Sequence, residues 1–513
     1  MIPVLNAAQA ADWDERARTA HAVPSRVLME AAGRAVADVL AREYRAALTD
    51  GVLVATGHGN NGGDGWVVAR ALQAVGVRVW VAEAGGNHSP DCAANRKLAL
   101  EDGVALLGSA DTWPRAGVLV DALLGTGAAG EPRGAIGEVA ARLSEHGAPV
   151  VAVDGPTGLD LSTGEVHGPV RAALTVTFGG ARRGHLLQRA WCGKLVVVDI
   201  GFPPPDPAWP ELFTDHDARR LLPPFEAQFH KGDRGRIVVI GGAEGMAGAA
   251  LHAASAAFAA GVGLVKIAGS AVTVQAAQSM LPDALTVKTA LGPDLEPALE
   301  EAIDWADAIA LGPGLGRGPE RTVLVGTVLD RASVPVVIDA DALHAGQDAL
   351  MRGTAPRVFT PHPGEFRSAF PDLSEVLGRD RFDAAVAAAR PAAPSGPGAT
   401  MLLKGVPTVI ATAGHALRVV ATGNPALATG GSGDLLSGFI AAFLARGLDP
   451  HDAAGLGAYT LGKAAEIASD EQSVRTTRPG DVLAATPELW HALSAPPCFA
   501  PPVLFELSPP ALV

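Results

Sequence analysis

Apolar runs rich in valine, leucine and alanine recur along the first 200 residues, and each is followed by glycine and then by an alanine-rich stretch. Runs that are apolar at consecutive positions suit strands covered on both faces. The repeated order of strand, loop and helix therefore predicts a parallel sheet with helical crossovers. The predicted strands of this half lie at 51–57, 77–83, 117–125, 149–158, 174–180 and 194–201.

The same alternation restarts after a break and predicts a second, larger α/β domain. Its predicted strands lie at 236–242, 263–269, 307–314, 335–343, 357–365 and 400–412.

The break at 202–231 is proline-rich and aperiodic, so it should sustain neither a helix nor a central strand. The last residues are also proline-rich and are expected to be draped over the surface or disordered. The sequence thus predicts domains at 1–205 and 231–495, a linker at 206–230 and a tail at 496–513.

Composition limits the classes of function. Lysine and arginine number 40 against 54 aspartates and glutamates, a net charge of −14, which argues against wrapping nucleic acid or adhering to acidic lipid. The three cysteines lie far apart in the sequence, so neither a disulfide framework nor a cysteine-based zinc site is expected. We find no signal peptide and no apolar run of about 18 residues that could span a bilayer. These features predict a soluble, cytoplasmic protein with small-molecule partners.

The segment GHGNNGGDG at 57–65 stands where a predicted strand turns into a predicted helix that begins at Trp66. Glycines in this segment leave backbone N–H groups accessible to bind a pyrophosphate at the helix N-terminus. Asn60, Asn61 and Asp64 add directional polar groups. The alternative is a turn that only caps the helix.

Asp121 and Asp154 end two further predicted strands of the same half. In open parallel sheets, ligands bind beyond the carboxyl ends of the strands, where both carboxylates should lie. They could hold a cation, orient a ribose or exchange a proton. Each could also merely cap the next helix.

Five segments, in order, resemble the YjeF N-terminal domain, the NAD(P)H-hydrate epimerase. They are LMEAAGRAVA, GNNGGDG, DALLGTG, VDGPTGLD and LTVTFGG. The resemblance covers about the first 200 residues and implies a Rossmann-like three-layer domain. It further implies interconversion of the R and S hydrates of NADH and NADPH, called NADHX and NADPHX, with a bound potassium ion.

By motif position, the resemblance assigns potassium to Asn61, Asp121 and Thr157, and makes Asp154 the candidate for proton transfer. The implied contacts to the hydrated dinucleotide are Asn60, Asn61, Gly62, Gly63, Asp64, Gly125, Thr126, Gly127, Ala128, Ala129, Gly130, Glu131 and Asp154. The chain departs from the family pattern in Thr157 for serine, Gly155 for an aliphatic residue, and Arg182 or Arg183 for lysine.

In the second half, NPALATGGSGDLL at 424–436 is a glycine-rich loop that runs into an apolar helix. The loop should present several N–H groups to phosphate as an anion hole. Asp434 inside it would repel phosphate, so its presence indicates a base that accepts a hydroxyl proton. The alternative is an acid that only complements the helix dipole.

Four further loops end apolar strands in this half: LGPGLGR, DADAL, TPHPGEF and KGVPTVI. His362 stands between two prolines and could contact substrate or be a plain surface group. Lys404 opens a hairpin-like segment against which a nucleotide could lie. Asp339 and Asp341 could be strand-end caps, ribose contacts or magnesium contacts, and the sequence does not separate these.

Across about residues 225–490, the chain resembles the NAD(P)H-hydrate dehydratases of the ribokinase-like superfamily. The segments HKGDRGRIVVIGG, LGPGLG, IDADAL, TPHPGE, LKG and NPALATGGSGD carry the resemblance, which implies an α/β/α domain that dehydrates the S hydrate while consuming ADP in bacteria or ATP in eukaryotes. Asp283 and Leu427 replace the family's usual glutamate and methionine. The implied hydrate contacts are Ala249, Gly314, His362 and Asp434, and the implied ADP contacts are Lys404, Gly405, Val406, Pro407, Thr408 and Gly433.

Together the two resemblances imply a bifunctional isomerase and lyase that repairs NADHX and NADPHX with ADP and Mg²⁺, and a homo-oligomer is expected. The alternative is a ribokinase-like small-molecule kinase whose N-terminal domain only binds. The GPGLG, PHPGE and KG loops favour the repair activity, while Asn61, Asp121 and Asp154 argue against a silent first domain.

Overall fold

The computed structural model describes residues 1–390, 399–496 and 501–510. These residues form two compact units, and the boundary between them follows Leu212, inside the predicted linker. The first unit holds residues 1–212 together with 501–510, and the second holds the described residues from 213 to 496. No helix in the described ranges has the length and apolar character needed to cross a bilayer.

The first unit contains seven helices and ten strands before residue 213. The strands are β1 (Ile2–Leu5), β2 (Val52–Thr56), β3 (Val79–Glu83), β4 (Ala105–Leu107), β5 (Val118–Ala122), β6 (Val150–Val153), β7 (Leu174–Phe178), β8 (Ala181–Arg182), β9 (Lys194–Val198) and β10 (Glu211–Leu212). The helices are α1 (Ala7–Thr19), α2 (Ser25–Glu43), α3 (Asn60–Ala74), α4 (Pro90–Glu101), α5 (Gly134–Glu145), α6 (Arg183–Leu187) and α7 (Arg189–Cys192).

The main sheet of the first unit is parallel in the order β9-β7-β6-β5-β2-β3-β4. Its strands are buried on both faces: Val52 and Val54 pack into one core with α2 and α3, whereas Leu53 and Ala55 pack into another with α5. This two-sided burial is the reason for the continuous apolar runs in the sequence. The predicted parallel α/β fold is confirmed.

The helices and strands of the second unit lie between residues 215 and 494. Its strands are β11 (Arg236–Ile240), β12 (Leu264–Gly269), β13 (Leu285–Lys288), β14 (Ala308–Leu311), β15 (Val336–Ile338), β16 (Arg357–Phe359), β17 (Ala399–Leu403), β18 (Thr408–Thr412) and β19 (Arg418–Val420). Its helices are α8 (Asp215–Leu221), α9 (Ala247–Ala259), α10 (Ala271–Met280), α11 (Pro297–Trp305), α12 (Pro319–Arg331), α13 (Gln347–Leu350), α14 (Pro363–Ala369), α15 (Ser374–Arg379), α16 (Arg381–Ala389), α17 (Ser432–Ala445), α18 (Pro450–Glu471) and α19 (Pro479–Ser494).

The sheet of the second unit runs β13-β12-β11-β14-β15-β16-β17 in parallel and continues antiparallel through β18 and β19. The apolar run predicted at 400–412 is two strands, β17 and β18, which form a hairpin around residues 404–407, so the hairpin-like segment predicted at Lys404 is confirmed. One face packs against α9, α17, α18 and α19 in an alanine- and leucine-rich core.

Two predictions about the proline-rich segments are wrong. The break at 202–231 does sustain a helix, α8, because Thr214 and Asp217 form a capping box at its start.

The tail is not wholly draped, because residues 503–507 form β20 (Val503–Leu507), which pairs antiparallel with β9. Lys194 secures this strand by ion pairs to Glu506 at 3.0 Å and to Glu43 at 2.9 Å. Residues 497–500 and 511–513 of the predicted tail lie outside the described residues.

Candidate active sites

The candidate site of the first unit lies at the carboxyl ends of β2, β5 and β6. The strand order reverses between β2 and β5, and ligands of open α/β sheets bind in the crevice at such a point. Asp121 lies at the end of β5, and Asp154 directly follows β6. The topology thus places both acids beside the segment that follows β2.

Residues 60–65 of the glycine-rich segment already belong to a helix, and only residues 57–59 lie before it. Helix α3 begins at Asn60, six residues before the predicted start at Trp66. A Cβ on Gly62 would lie 1.9 Å from the carbonyl oxygen of Gly57, so the backbone turns too tightly there for a side chain. The N–H groups of this first turn have no partner within the helix and can bind an anion.

Asp154 is held as a buried anion. Its backbone is in the left-handed region, with φ of 65°. One carboxylate oxygen accepts hydrogen bonds from the Thr126 N–H at 2.7 Å and the Thr126 hydroxyl at 2.5 Å. The other accepts from Thr177 Oγ1 at 3.1 Å and from Arg182 Nη2 at 3.4 Å. Burial alone would raise the pKa of Asp154, but the Arg182 charge and the Thr126 hydrogen bonds outweigh it, so the pKa lies below its ordinary value.

His185 fixes the backbone of this acid and was not predicted from the sequence. Its Nδ1 accepts the Arg182 N–H at 3.0 Å, so the proton is on Nε2, which donates to the Asp154 carbonyl at 2.7 Å. Burial is the main cause that lowers the pKa of His185 to about 4, and the ring is therefore neutral at physiological pH. Arg182, one of the two arginines that could replace the family's lysine, points into this site and contacts Thr126 as well as Asp154.

Asp121 and Thr157 form a second buried pair. The Thr157 N–H and hydroxyl each donate to Asp121 at 2.7 Å, and the Leu123 N–H donates at 3.2 Å. Asp121 is fully buried and forms no ion pair among the described residues, and this burial raises its pKa to about 6. Nearby, both amide atoms of Asn61 are buried without a hydrogen-bond partner in the described part of the chain.

The segment 125–131 reaches the site only at its start. A Cβ on Gly125 would lie 3.0 Å from Asp154 Oδ2 and 3.3 Å from the Asn61 amide oxygen, so a side chain there would crowd both groups. Thr126 binds Asp154 directly. No hydrogen bond joins Gly127, Ala128, Ala129, Gly130 or Glu131 to the two acids, and most of these five residues are exposed.

The candidate site of the second unit surrounds the N-terminus of α17. Gly431 caps this helix in a left-handed conformation, with φ of 99°, and Asp434 lies in its first turn. Glycine-rich residues after β14, Asp339 after β15, His362 after β16 and Lys404 after β17 all lie at the same edge of the sheet.

Lys404 lies under this helix start within a network of charges. Its ammonium group binds Asp339 Oδ1 at 2.9 Å and Glu365 Oε2 at 3.5 Å, and the Ser437 hydroxyl donates to the other Asp339 oxygen at 2.6 Å. A Cβ on Gly433 would lie 3.3 Å from Lys404 Nζ, so a side chain there would crowd the ammonium group. Burial would lower the pKa of Lys404, but the two acids raise it above its ordinary value.

Asp434 is the poised acid of this site. Burial first, and then the charges of Asp339, Asp341 and Glu365, raise its pKa to about 7, while Lys404 opposes the shift. A carboxylate with such a pKa can both accept and release a proton near neutral pH.

The predicted nucleotide-binding residues 404–408 form the turn of the β17–β18 hairpin. Arg381 lies beneath the turn and donates to the carbonyl oxygens of Lys404 and Val406 at 3.0 Å each. Val406 is 61% exposed and precedes Pro407 through a cis peptide bond. The Thr408 hydroxyl donates to the Gly405 carbonyl at 3.2 Å. Gly405 and Val406 are exposed at this turn, whereas Pro407 is buried, so a nucleotide can lie against the first two.

The residues predicted to contact the hydrate fall into two places. A Cβ on Gly314, whose φ is 61°, would lie 3.1 Å from Ala249 Cβ, so these two predicted residues are neighbours. His362 caps α14, since its Nδ1 accepts the N–H groups of Gly364 at 3.0 Å and Glu365 at 3.3 Å. Its Nε2 therefore carries the proton and can donate to a ligand.

Several residues of both sites were missed or left open by sequence reasoning. Glu365 and Asp339 stand inside segments already singled out, so strand-end position was the available signal, whereas His185 lies outside those segments. Arg381 and Ser437 carry no such signal, because their roles follow from tertiary contacts.

Residues 25–184 match the family profile described as YjeF-related protein N-terminus, and residues 237–488 match that described as NAD(P)H-hydrate dehydratase. The bifunctional NAD(P)H-hydrate repair enzyme Nnr of Moorella thermoacetica is 36% identical over 96% of this chain and 97% of its own. The Escherichia coli K12 enzyme of the same name is 35% identical over 81% and 80%. A crystal structure of the ADP/ATP-dependent NAD(P)H-hydrate dehydratase from Bacillus subtilis, co-crystallised with ATP/Mg²⁺, is 32% identical over 55% of this chain and 98% of that chain, with a TM-score of 0.49.

Proposed function

This chain belongs to the family of bifunctional NAD(P)H-hydrate repair enzymes, and we propose that each unit carries one of the two activities. The first unit would epimerise the R and S hydrates at C6 of the nicotinamide ring. The second would dehydrate the S hydrate at the expense of ADP, releasing AMP and phosphate. The observation that carries the second assignment is Asp434, an acid in the first turn of α17 whose pKa is raised to about 7.

In the proposed dehydration, the oxygen of the C6 hydroxyl attacks the β-phosphorus of ADP while Asp434 accepts the hydroxyl proton, and AMP leaves. The N–H groups at the start of α17 stabilise the charge of the transferring phosphoryl group. The ring nitrogen then expels phosphate from C6, and loss of a proton from C5 restores the reduced ring. We assign the adenine nucleotide to the turn at 404–408 and the hydrate to the side of Ala249 and Gly314.

The described residues do not form a ready-made magnesium site. They contain no cluster of three or more His, Cys, Asp or Glu side chains able to hold a metal. The oxygens of Asp339 accept from Lys404 at 2.9 Å and from Ser437 at 2.6 Å. Those of Asp341 accept from the Gly316 N–H and from Arg317 at 2.9 Å each. Mg²⁺ would therefore be held by the nucleotide phosphates and water, as is common for this ion.

Dehydration should depend on pH through Asp434. Because its pKa is raised to about 7, the acid is protonated below that pH and cannot accept the hydroxyl proton. We expect kcat/KM for dehydration to rise about tenfold per pH unit below the pKa and to level off above it. NADH absorbance, corrected for the uncatalysed reaction, would measure the profile, with epimerisation by the same protein as the control. A flat profile from about pH 5.5 to 8.5 would exclude Asp434 as the base.

In the proposed epimerisation, the C6 hydroxyl takes a proton from solvent and leaves as water while the ring nitrogen donates its electron pair. A water molecule then adds to the opposite face of the cationic ring and gives up one proton. The four donors to Asp154 lower its basicity, so we assign the carboxylate mainly the stabilisation of that cation. It would also orient the returning water and receive its proton.

The residues to which the family resemblance assigns potassium suit a monovalent cation. The Asn61 amide oxygen is buried and unpartnered, and Asp121 is a buried carboxylate that forms no ion pair in the described ranges. A monovalent cation would satisfy the first group and neutralise the second, with Thr157 offering its hydroxyl oxygen. Its chemistry would be electrostatic, ordering the start of α3 against the ligand.

Asp121→Asn should abolish the potassium dependence of epimerisation. We expect the wild-type rate to fall by about 10²-fold when potassium is replaced by a bulky organic cation, and the variant to be slow in both buffers. Chiral chromatography of the hydrate would measure this, and the midpoint of thermal unfolding in the two buffers would report binding of the ion without reference to activity. Equal wild-type rates and midpoints would contradict the assignment.

One assay separates the repair activity from the rival reading of a small-molecule kinase with a silent first unit. The purified chain is incubated with mixed NADHX epimers and either ADP or ATP. Full recovery of NADH absorbance requires both activities, whereas recovery of only the S fraction would show a silent first unit. No recovery would overturn the proposal.

A further inference from the structure

A third acid lies at the carboxyl edge of the first unit's sheet, outside the residues considered so far. Glu83 is the last residue of β3, and it pairs in register with Thr56, the last residue of β2. The glycine-rich start of α3 follows β2 directly. Glu83 therefore lies at the end of the strand next to β2 and the glycine-rich start of α3. It is on the side of β2 away from Asp121 and Asp154.

The Glu83 carboxylate is held by the side chains of Arg96 and His88. Arg96 binds it in a bidentate manner, with Nε 2.7 Å from Oε1 and Nη2 3.1 Å from Oε2. His88 Nε2 lies 2.6 Å from Oε1. The Glu83 side chain is 12% exposed and that of Arg96 is 31% exposed, so the cluster is fixed but still reachable from solvent.

The segment after Glu83 is hydrogen-bonded to the residues at the start of α3. The Ser89 N–H donates to the His58 carbonyl at 2.9 Å, and the Ser89 hydroxyl donates to the Asn60 amide oxygen at 2.9 Å. A ligand whose pyrophosphate lies at the start of α3 thus has Glu83 within the wall of the same crevice. With the reacting ring on the side of Asp154, the other half of the dinucleotide extends towards β3.

We propose that Glu83, braced by Arg96 and His88, meets the adenosine ribose and makes the first unit select NADHX over NADPHX. An acid at the end of the second strand accepts a hydrogen bond from a ribose 2′-hydroxyl. A 2′-phosphate would be repelled by that carboxylate, and Arg96 is already neutralised by its bidentate contact. The inference rests on the proposed epimerase activity of this unit.

The test compares kcat/KM for epimerisation of NADHX and NADPHX. We expect the wild type to favour NADHX about tenfold or more, and Glu83→Gln to bring the ratio near one by improving NADPHX, because Arg96 is then free to bind phosphate. Arg96→Gln should shift the ratio the other way. Glu30→Gln is the matched control, since Glu30 also binds two arginines, Arg34 at 2.7 Å and Arg70 at 2.5 Å, on α2 and α3.

A measurement on the wild type keeps the test independent of how the variants fold. Unhydrated NADH should inhibit epimerisation competitively about tenfold more strongly than NADPH. Equal inhibition, or a ratio of kcat/KM that Glu83→Gln leaves unchanged, would overturn the assignment of Glu83. Absence of epimerisation of either hydrate by the wild type would instead overturn the proposed function of the unit.

Discussion

Asp434→Asn should reduce dehydration of the S hydrate by about 10²–10⁴-fold, the range typical for loss of a general base. Asparagine keeps the size of the side chain at the start of α17 but cannot accept the C6 proton. The loss should lie in kcat, because the phosphate-binding N–H groups of the helix start are untouched. Recovery of NADH absorbance from pure S hydrate and ADP measures the effect.

The controls for Asp434→Asn come from the same chain. Asp481→Asn makes the same change in the first turn of another helix, α19, and should leave dehydration near the wild-type rate. Interconversion of the R and S hydrates should persist in Asp434→Asn, since that activity is assigned to the first unit. Loss of both activities in a folded Asp434→Asn protein would contradict two separate sites.

Asp154→Asn should reduce epimerisation by about 10²–10³-fold, comparable to removal of one strong electrostatic contact to a transition state. The neutral amide cannot stabilise the cationic ring. Dehydration of pure S hydrate should be unchanged. Chiral chromatography starting from pure R hydrate measures the rate without interference from the second activity when ADP is omitted.

Loss of Asp154 also leaves Arg182 buried without its counter-charge, which can cost about 3–5 kcal/mol of stability. The double variant Asp154→Asn with Arg182→Gln removes both charges and should regain stability but not epimerisation. Asp160→Asn, which alters a turn-capping acid of the same segment, should keep epimerisation. Restored epimerisation in the double variant would show that Asp154 serves only to balance Arg182.

The strands and their loops were predictable because local sequence dictates them. Continuous apolar runs require strands buried on both faces, and the acids at their ends were therefore assigned correctly to one edge of each sheet. The start of α3 was misplaced because consecutive glycines and asparagines are poor helix formers, yet packing of Gly62 and Gly63 against neighbouring atoms holds them in helical conformation.

Partnerships between distant residues could not be predicted. Lys404 was expected to face a nucleotide, but 65 residues upstream Asp339 provides the carboxylate that holds its ammonium group. His185 supports Asp154 through a backbone carbonyl, a contact that leaves no trace in residue spacing. Strand β20 was missed because flanking prolines obscured five residues that find their partner at β9.

The pairing of β20 with β9 has a consequence for biosynthesis. Between Val198 and Leu507 the ribosome must add 309 residues, which takes about 15–60 s at ordinary elongation rates. During that time the edge of β9 has no partner strand, and an open edge invites pairing with other chains. The unit whose synthesis begins first is therefore completed last. Nascent chains that stall within the second unit would expose the unpaired edge of β9 to chaperones and to one another.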